Sequence, residues 1–165
     1  QDTLKDIHLT VSDIRNSILV NLEKRFAAAG IKEYTAKVID LTHLPLTPLS
    51  LTPYYPFPFD LIICDAPCSG SGTWARTPEQ LYFWKEEDIL QYTTLQKKIL
   101  TNIIPFIKPG GYLLYITCSV FKQENEAIVD EIKARFNLQL LKMEVLSGYD
   151  KKADTMFAAL LALPR

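Results

Sequence analysis

Apolar and polar positions along this chain alternate between two periods, and each change of period marks an element. DIHLTVSD (6–13) alternates with period two and ends on Asp13, the pattern of a half-buried strand. From about Arg15 to Ala29 the spacing becomes helical, with Ile14, Ile18, Leu22 and Phe26 on one face and Gly30 closing the helix. EYTAKVID (33–40) reads as the next strand, and FDLIIC (59–64) as a continuous apolar run of the buried kind. Between them, Pro45, Pro48, Pro53, Pro56 and Pro58 exclude regular structure over 41–58. Thr77-Pro78-Glu79 predicts a helix start capped by the threonine. One or two helices then run to about Ile107, with Ile89, Tyr92, Gln96, Leu100, Ile103 and Ile107 near one face. Lys108-Pro109-Gly110-Gly111 predicts a turn that launches the strand YLLYITC. A helix over 122–136 follows, with Ile128, Val129, Ile132 and Phe136 as its core stripe. The strands 138–146 and 155–163 close the chain, paired antiparallel across a short turn.

Strands that alternate with helices in this way predict an α/β fold whose mostly parallel sheet is covered on both faces. The antiparallel closing pair is expected at one edge. At 165 residues the chain is read as a single domain, 1–165, large enough for one core. It is 48% hydrophobic, yet no apolar stretch is long enough to cross a bilayer, and Gln1 opens no signal peptide. Three cysteines, an odd count, point to a reducing compartment, by default the cytoplasm. A net charge of −1 and a pI near 6.2 do not mark an autonomous nucleic-acid binder. The pairs Lys97–Lys98 and Lys151–Lys152 are read as solvated surface. His8 and His43 stand alone and nothing has metal-ligand spacing with the cysteines, so no metal is expected. The oligomeric state is left open.

Two of the cysteines occupy similar places. Cys68, in DAPCSGSG, follows FDLIIC; Cys118, in TCS, follows GGYLLYI. Each thiol therefore falls at or just past the carboxyl end of a strand, the edge where open α/β sheets bind ligands. Thiols converging there suggest nucleophilic chemistry, because a thiolate attacks an electron-poor ring well. For Cys118 the competing reading is a small core residue. Cys64 lies inside its apolar run and is read as core. Asp13 and Asp40 end successive strands and suit either hydroxyl recognition or local capping. Arg76 suits a phosphate or plain surface. Tyr82, Phe83 and Trp84 could stack on bases, but at helical spacing they are read first as core.

DAPCSGSGTWARTPE, then a helix containing LQKKIL, then KPGGYLLYITCSVFKQENE and a closing ADTMFAALL, resembles the RsmB/Sun-type RNA cytosine-5 methyltransferases over roughly the whole chain. The resemblance implies a Rossmann-like methyltransferase sheet, S-adenosylmethionine as cofactor and RNA as substrate, ribosomal RNA ahead of transfer RNA. It implies Cys118 as the nucleophile, Cys68 as the group that promotes product release, and Asp65 as the residue that orients the base. Asp13 would accept from the cofactor ribose and Asp40 would lie on its adenine side, with Asp65 and Pro67 also bordering the cofactor. Arg76, Ser69 and Gly70 would meet the substrate. Pro67 would stiffen the turn, and Gly70 and Gly72 would let the backbone approach a ligand closely. Carbon 5 of cytosine is a poor nucleophile until a thiolate adds to carbon 6, which explains why such a family needs its cysteines. The family's glycine-rich loop of type AxPGGK, with its lysine, would precede residue 6. The chain is accordingly read as the C-terminal part of a catalytic domain that lacks the first strand. By itself it is expected to bind the cofactor weakly and to be inactive, with a gap beside the strand ending at Asp13. An inactive RNA-associated scaffold and a DNA cytosine methyltransferase remain as alternatives.

Overall fold

The structure, a computed structural model, describes residues 7–43 and 58–165, so most of the proline-rich stretch lies outside it. The chain divides into two compact units, Gln1–Pro56 and Phe57–Arg165.

The first unit contains β1 (Leu9–Asp13), α1 (Asn16–Ala28) and β2 (Tyr34–Val38). The two strands are parallel, with Leu9 opposite Tyr34 and Asp13 opposite Val38, the βαβ arrangement that the sequence predicts. The sheltered stripe of α1 differs from the expected one. Leu19 is buried and Leu22 and Phe26 are partly so, whereas Ile14 and Ile18 are exposed. The helix begins at Asn16, so Ile14 falls outside its periodicity, and the stripe i, i+3, i+7 from Leu19 takes over. Phe26 meets Tyr34 edge to face at 4.9 Å and ties helix to strand. Gly30 closes the helix at φ +73°.

The second unit contains β3 (Phe59–Asp65), a 3₁₀ turn (Ser71–Thr73), α2 (Pro78–Phe83) and α3 (Glu86–Ile103). After them come β4 (Ile107–Thr117), α4 (Glu126–Phe136), β5 (Gln139–Leu146) and β6 (Met156–Ala162). Its sheet has the order β3-β4-β6-β5, with β3 parallel to β4 and the other pairs antiparallel. The expected antiparallel closing pair does form one edge of the sheet, with β5 outermost and β6 between it and β4. Composition explains the choice. β6 is apolar at every position and buries Phe157, Ala159 and Leu161 completely, while β5 carries Gln139, Lys142 and Glu144. Among the described residues β1 is hydrogen-bonded only to β2, and β3 only to β4.

Three further expectations shift. Lys108–Gly111 is a bulge inside β4 and not a turn before it: Phe59 faces Ile107 and Leu61 faces Tyr112, so four residues loop out opposite Asp60. Gly110 takes φ +80° within that bulge. β3 is not buried on both sides, since Leu61 and Ile63 are exposed on one face while Cys64 is buried on the other. Thr77 does not cap α2; its hydroxyl donates to the Thr73 carbonyl at 3.1 Å. The α3 face follows its period, with Gln96, Leu100 and Ile103 buried, and Ile128, Val129 and Ile132 of α4 join Leu113 and Tyr115 in the core.

Candidate active site

β3 and β4 run parallel with Cys64 opposite Tyr115 and Asp65 opposite Ile116, so the PCS and TCS turns leave the sheet side by side. The ladder continues one step beyond the strands, through Ala66 N–H to the Ile116 carbonyl at 2.9 Å. Gly72 N–H then donates to the Cys118 carbonyl at 2.8 Å, and Thr155 N–H donates to the Gly72 carbonyl at 3.0 Å. A Cβ on Gly72 would lie 2.0 Å from the Thr155 carbonyl oxygen, so only glycine fits between the two strand ends. The close approach expected of this glycine is thus to backbone. These stitches bring Cys68 Sγ within 3.3 Å of Cys118 Sγ, across 50 residues of sequence.

The two thiols are not equivalent. The two sulfurs share one hydrogen bond in which either can donate; with the proton on Cys68, that bond holds the Cys118 thiol down at about 7, against the opposing effects of burial and of Asp65 and Asp154. Cys68 moves far upward, because it shares its proton with Cys118, is itself desolvated and faces the charge on its neighbour. In that arrangement Cys118 is the thiolate of the pair and Cys68 its donor. Cys64, on the inward face of β3, is pushed up to about 12 by burial and then by Asp65; it is core, as its position in the sequence predicts. Asp65 ends β3 beside the pair, and partial desolvation raises its carboxyl above the usual carboxylate range.

Polar side chains brace both turns from behind. Glu124 is fully buried, and its carboxylate accepts from the Ser69 N–H at 2.8 Å, the Ser69 hydroxyl at 2.6 Å and the Ser119 hydroxyl. The Ser71 hydroxyl lies 3.2 Å from that of Ser119 and accepts from Val120 N–H at 2.9 Å. Asn125, also buried, pairs with Thr117 Oγ1 at 2.6 Å and donates to the Ser119 carbonyl at 2.8 Å. From α3, Gln96 donates to the Pro67 carbonyl at 2.9 Å. Glu124 and Asn125 are missed by a reading of helical period, which starts α4 at residue 122. The available signal was the compact polar run QEN directly after TCSVFK, which turns inward and delays the helix to Glu126.

The other candidates separate clearly. Ser69 directs both its donors to Glu124. Gly70 adopts φ +70°, and its carbonyl accepts from the Thr73 hydroxyl at 2.8 Å. Arg76 makes a two-point contact with Asp154, Nε to Oδ1 at 3.1 Å and Nη2 to Oδ2 at 2.8 Å, and remains exposed. Tyr82 and Phe83 are exposed, not core as their spacing suggested. Trp84 does pack, stacked on Phe121 at 5.4 Å and against Trp74 at 5.5 Å.

In the first unit, Asp13 Oδ1 accepts from Arg15 N–H at 2.7 Å and Nε at 3.2 Å, while Oδ2 has a single 3.3 Å contact with Nη2. Burial pushes the Asp13 carboxyl up, but the Arg15 hydrogen bonds and charge outweigh it and hold it below the usual range. The second oxygen keeps acceptor capacity, which fits a ribose hydroxyl. Asp40 is held down to about 2, first by the Thr42 hydroxyl and amide and then by His43, so its own loop fills both oxygens. Among the described residues no His, Cys, Asp and Glu side chains cluster to hold a metal, and no helix is long and apolar enough to cross a membrane.

The chain is similar to known methyltransferases. A family model described as 16S rRNA methyltransferase RsmB/F matches residues 5–164. Ribosomal RNA small subunit methyltransferase B of Erwinia tasmaniensis is 42% identical over 77 residues, which cover 47% of this chain and 18% of that protein. Ribosomal RNA small subunit methyltransferase F of Pectobacterium carotovorum is 36% identical over 135 residues, 81% of this chain and 23% of that protein. The chain thus spans about a fifth of the length of these relatives. Two solved structures share the fold. NSun6 from Pyrococcus horikoshii, solved with SFG, has a TM-score of 0.77 and 20% identity, covering 96% of this chain and 42% of that one. N-methyltransferase NodS from Bradyrhizobium japonicum, in complex with S-adenosyl-L-homocysteine, has a TM-score of 0.61 and 14% identity, covering 96% and 67%.

Proposed function

The chain belongs to the 16S rRNA methyltransferase RsmB/F family, and from that membership we propose that it methylates carbon 5 of a cytosine in RNA through a covalent bond from Cys118. Ribosomal RNA is favoured over transfer RNA by the names of the relatives. The observation that carries the reading is the thiol pair, 3.3 Å apart at the carboxyl edge of parallel strands, with one member poised as thiolate.

In this reaction Cys118 adds to carbon 6 of the cytosine and turns carbon 5 into a nucleophile. S-adenosylmethionine, when bound, supplies an electrophilic methyl group to that carbon. Asp65 holds the polar edge of the base, accepting from the exocyclic amine or the protonated ring nitrogen. Asp13 holds the cofactor ribose, with Asp40 and Pro67 at its border, and Arg76 and Gly70 face the RNA. Once the carbon 5 proton has been removed, Cys118 is expelled as a thiolate. The Cys68 S–H, already its donor, stabilises that leaving sulfur, because a thiol of lower pKa leaves faster. The target base must be drawn out of its stack to reach the thiol. In this reading the two units are parts of one catalytic domain that works in the cytoplasm, where free thiols stay reduced.

A denaturing gel of full-length protein with labelled RNA tests the assignment. Cys118→Ala is expected to form no covalent complex, whereas Cys68→Ala accumulates a shifted, cofactor-dependent band. A band from Cys118→Ala instead would make Cys68 the nucleophile and point to DNA-type chemistry.

A further inference from the structure

We propose that Glu124 is the positioning residue of the thiol pair: its single buried carboxylate ties Ser69 to Ser119, the residues that directly follow the two cysteines, and so sets the separation of Cys68 and Cys118. The proposal rests on the reading of Cys118 as nucleophile and gives a role to a residue that touches neither base nor cofactor.

The geometry is specific. Oε2 accepts from both serine hydroxyls, and Oε1 accepts from the Ser69 amide, so one carboxylate grips a backbone atom of one turn and side chains of both. Glu124 is itself anchored, its carbonyl accepting from the buried Tyr115 hydroxyl at 2.7 Å. Ser119 is held further by accepting from Phe121 N–H at 3.0 Å. A fully buried carboxylate is costly unless donors meet it, and an apolar side chain would serve mere stability as well or better. What the carboxylate adds is geometric: it joins two turns that are 55 residues apart from Ser69 to Glu124. The strand ladder fixes the bases of these turns; Glu124 fixes their tips. Loosening the tips would separate the sulfurs, and a thiol–thiol hydrogen bond tolerates little separation.

The consequence is read on Cys118. It faces Cys68 and Asp65 from the PCS turn and Asp154, paired with Arg76, from the segment before β6. The Cys68 hydrogen bond and the Cys118 amide favour its thiolate, as does the charge of Arg76, while burial, Asp65 and Asp154 oppose it. Glu124→Gln keeps the size of the side chain but sets an amide donor against a ring of donors. In the full-length protein, iodoacetamide alkylation of Cys118 is followed by peptide mass spectrometry across pH. The wild-type inflection is expected near 7, and that of Glu124→Gln is expected to rise toward the ordinary thiol value of 9.0. At pH 7 the alkylation rate should fall about fivefold, because loss of thiolate outweighs the greater reactivity of the thiolate that remains. Removing a negative charge by itself would move the inflection down, so an unchanged or lowered inflection overturns the proposal. In a Cys68→Ala background Glu124→Gln should no longer raise the inflection; an upward shift that persists there also overturns it. If Glu124→Gln fails to fold by circular dichroism, Ser69→Ala, which retains the amide contact, should give a smaller upward shift, and none in the folded variant would refute the tie. The measurement needs no RNA and no cofactor. A wild-type protein that never methylates RNA would refute the proposed function and leave this result standing, and the reverse also holds.

Discussion

Strand ends are held differently in the two units. In the first, Asp13 is gripped by Arg15 two residues away and Asp40 by Thr42 and His43, two and three residues away. In the second, Cys68 meets Cys118 across 50 residues and Ser69 meets Glu124 across 55. Local grips of the first kind form within the loop itself; the one on Asp13 is exposed and leaves Oδ2 as an acceptor for a ligand, whereas the one on Asp40 fills both oxygens. Long-range grips of the second kind exist only once the sheet has formed. They are at least partly buried, mutually dependent, and shift protonation because solvent relaxes the pair less. The chemistry therefore sits where the fold, not the neighbouring sequence, supplies the partner.

Five outcomes would break or sharpen this contrast. Cys118→Ala removes the only thiolate of the pair and should lower RNA methylation by about 10³-fold or more, measured as transfer of labelled methyl from cofactor to RNA. Cys68→Ala should lower multiple turnover by about 10²-fold while a single round of addition and transfer proceeds, slower at neutral pH. A burst followed by a stall in rapid-quench kinetics is its signature.

Gly72→Ala and Gly30→Ala compare the units directly. At Gly72 the added carbon would sit 2.0 Å from the Thr155 carbonyl oxygen, and at Gly30 it meets nothing within 4 Å. The first should cost about 3 kcal/mol or more and the second about 1 kcal/mol, from its positive φ alone. Equal shifts in a urea titration would remove the distinction between a tertiary and a local constraint.

Asp13→Ala should weaken S-adenosylmethionine binding in the full-length protein about tenfold to a hundredfold, the value of a charge-assisted hydrogen bond, by calorimetry. Its thermal stability should hardly change, since the Arg15 contact is exposed. The smallest expected effect is on pH. Because thiolate is the reacting form and Cys118 is held at about 7, single-turnover methylation should rise with pH through that value and level off above it. Between pH 6 and pH 8 the rise is about tenfold. A flat profile would mean that addition of Cys118 does not limit the reaction.

Much of this was readable from the residues alone. The alternation in LTVSD, the apolar runs of β3 and β4, and the stripes of α3 and α4 define the elements, because backbone periods of 2 and 3.6 imprint on hydrophobic spacing. The positions of Cys68 and Cys118 after apolar runs placed both thiols at strand ends, and the paired motifs led to the family. Three features could not be read in this way. The place of β6 between β4 and β5 depends on competition between strands for the interior. The bulge at Lys108–Gly111 depends on the register against β3, which no single strand contains. Glu124 looked like an ordinary residue of a helix start, and the thiols looked alike. Only the folded sheet brings Glu124 beneath two serines and one sulfur against the other, and only there does the shared hydrogen bond, ahead of desolvation, move the two thiols apart. Hydrophobic spacing records which way a side chain faces; it carries no information about which distant partner it will face.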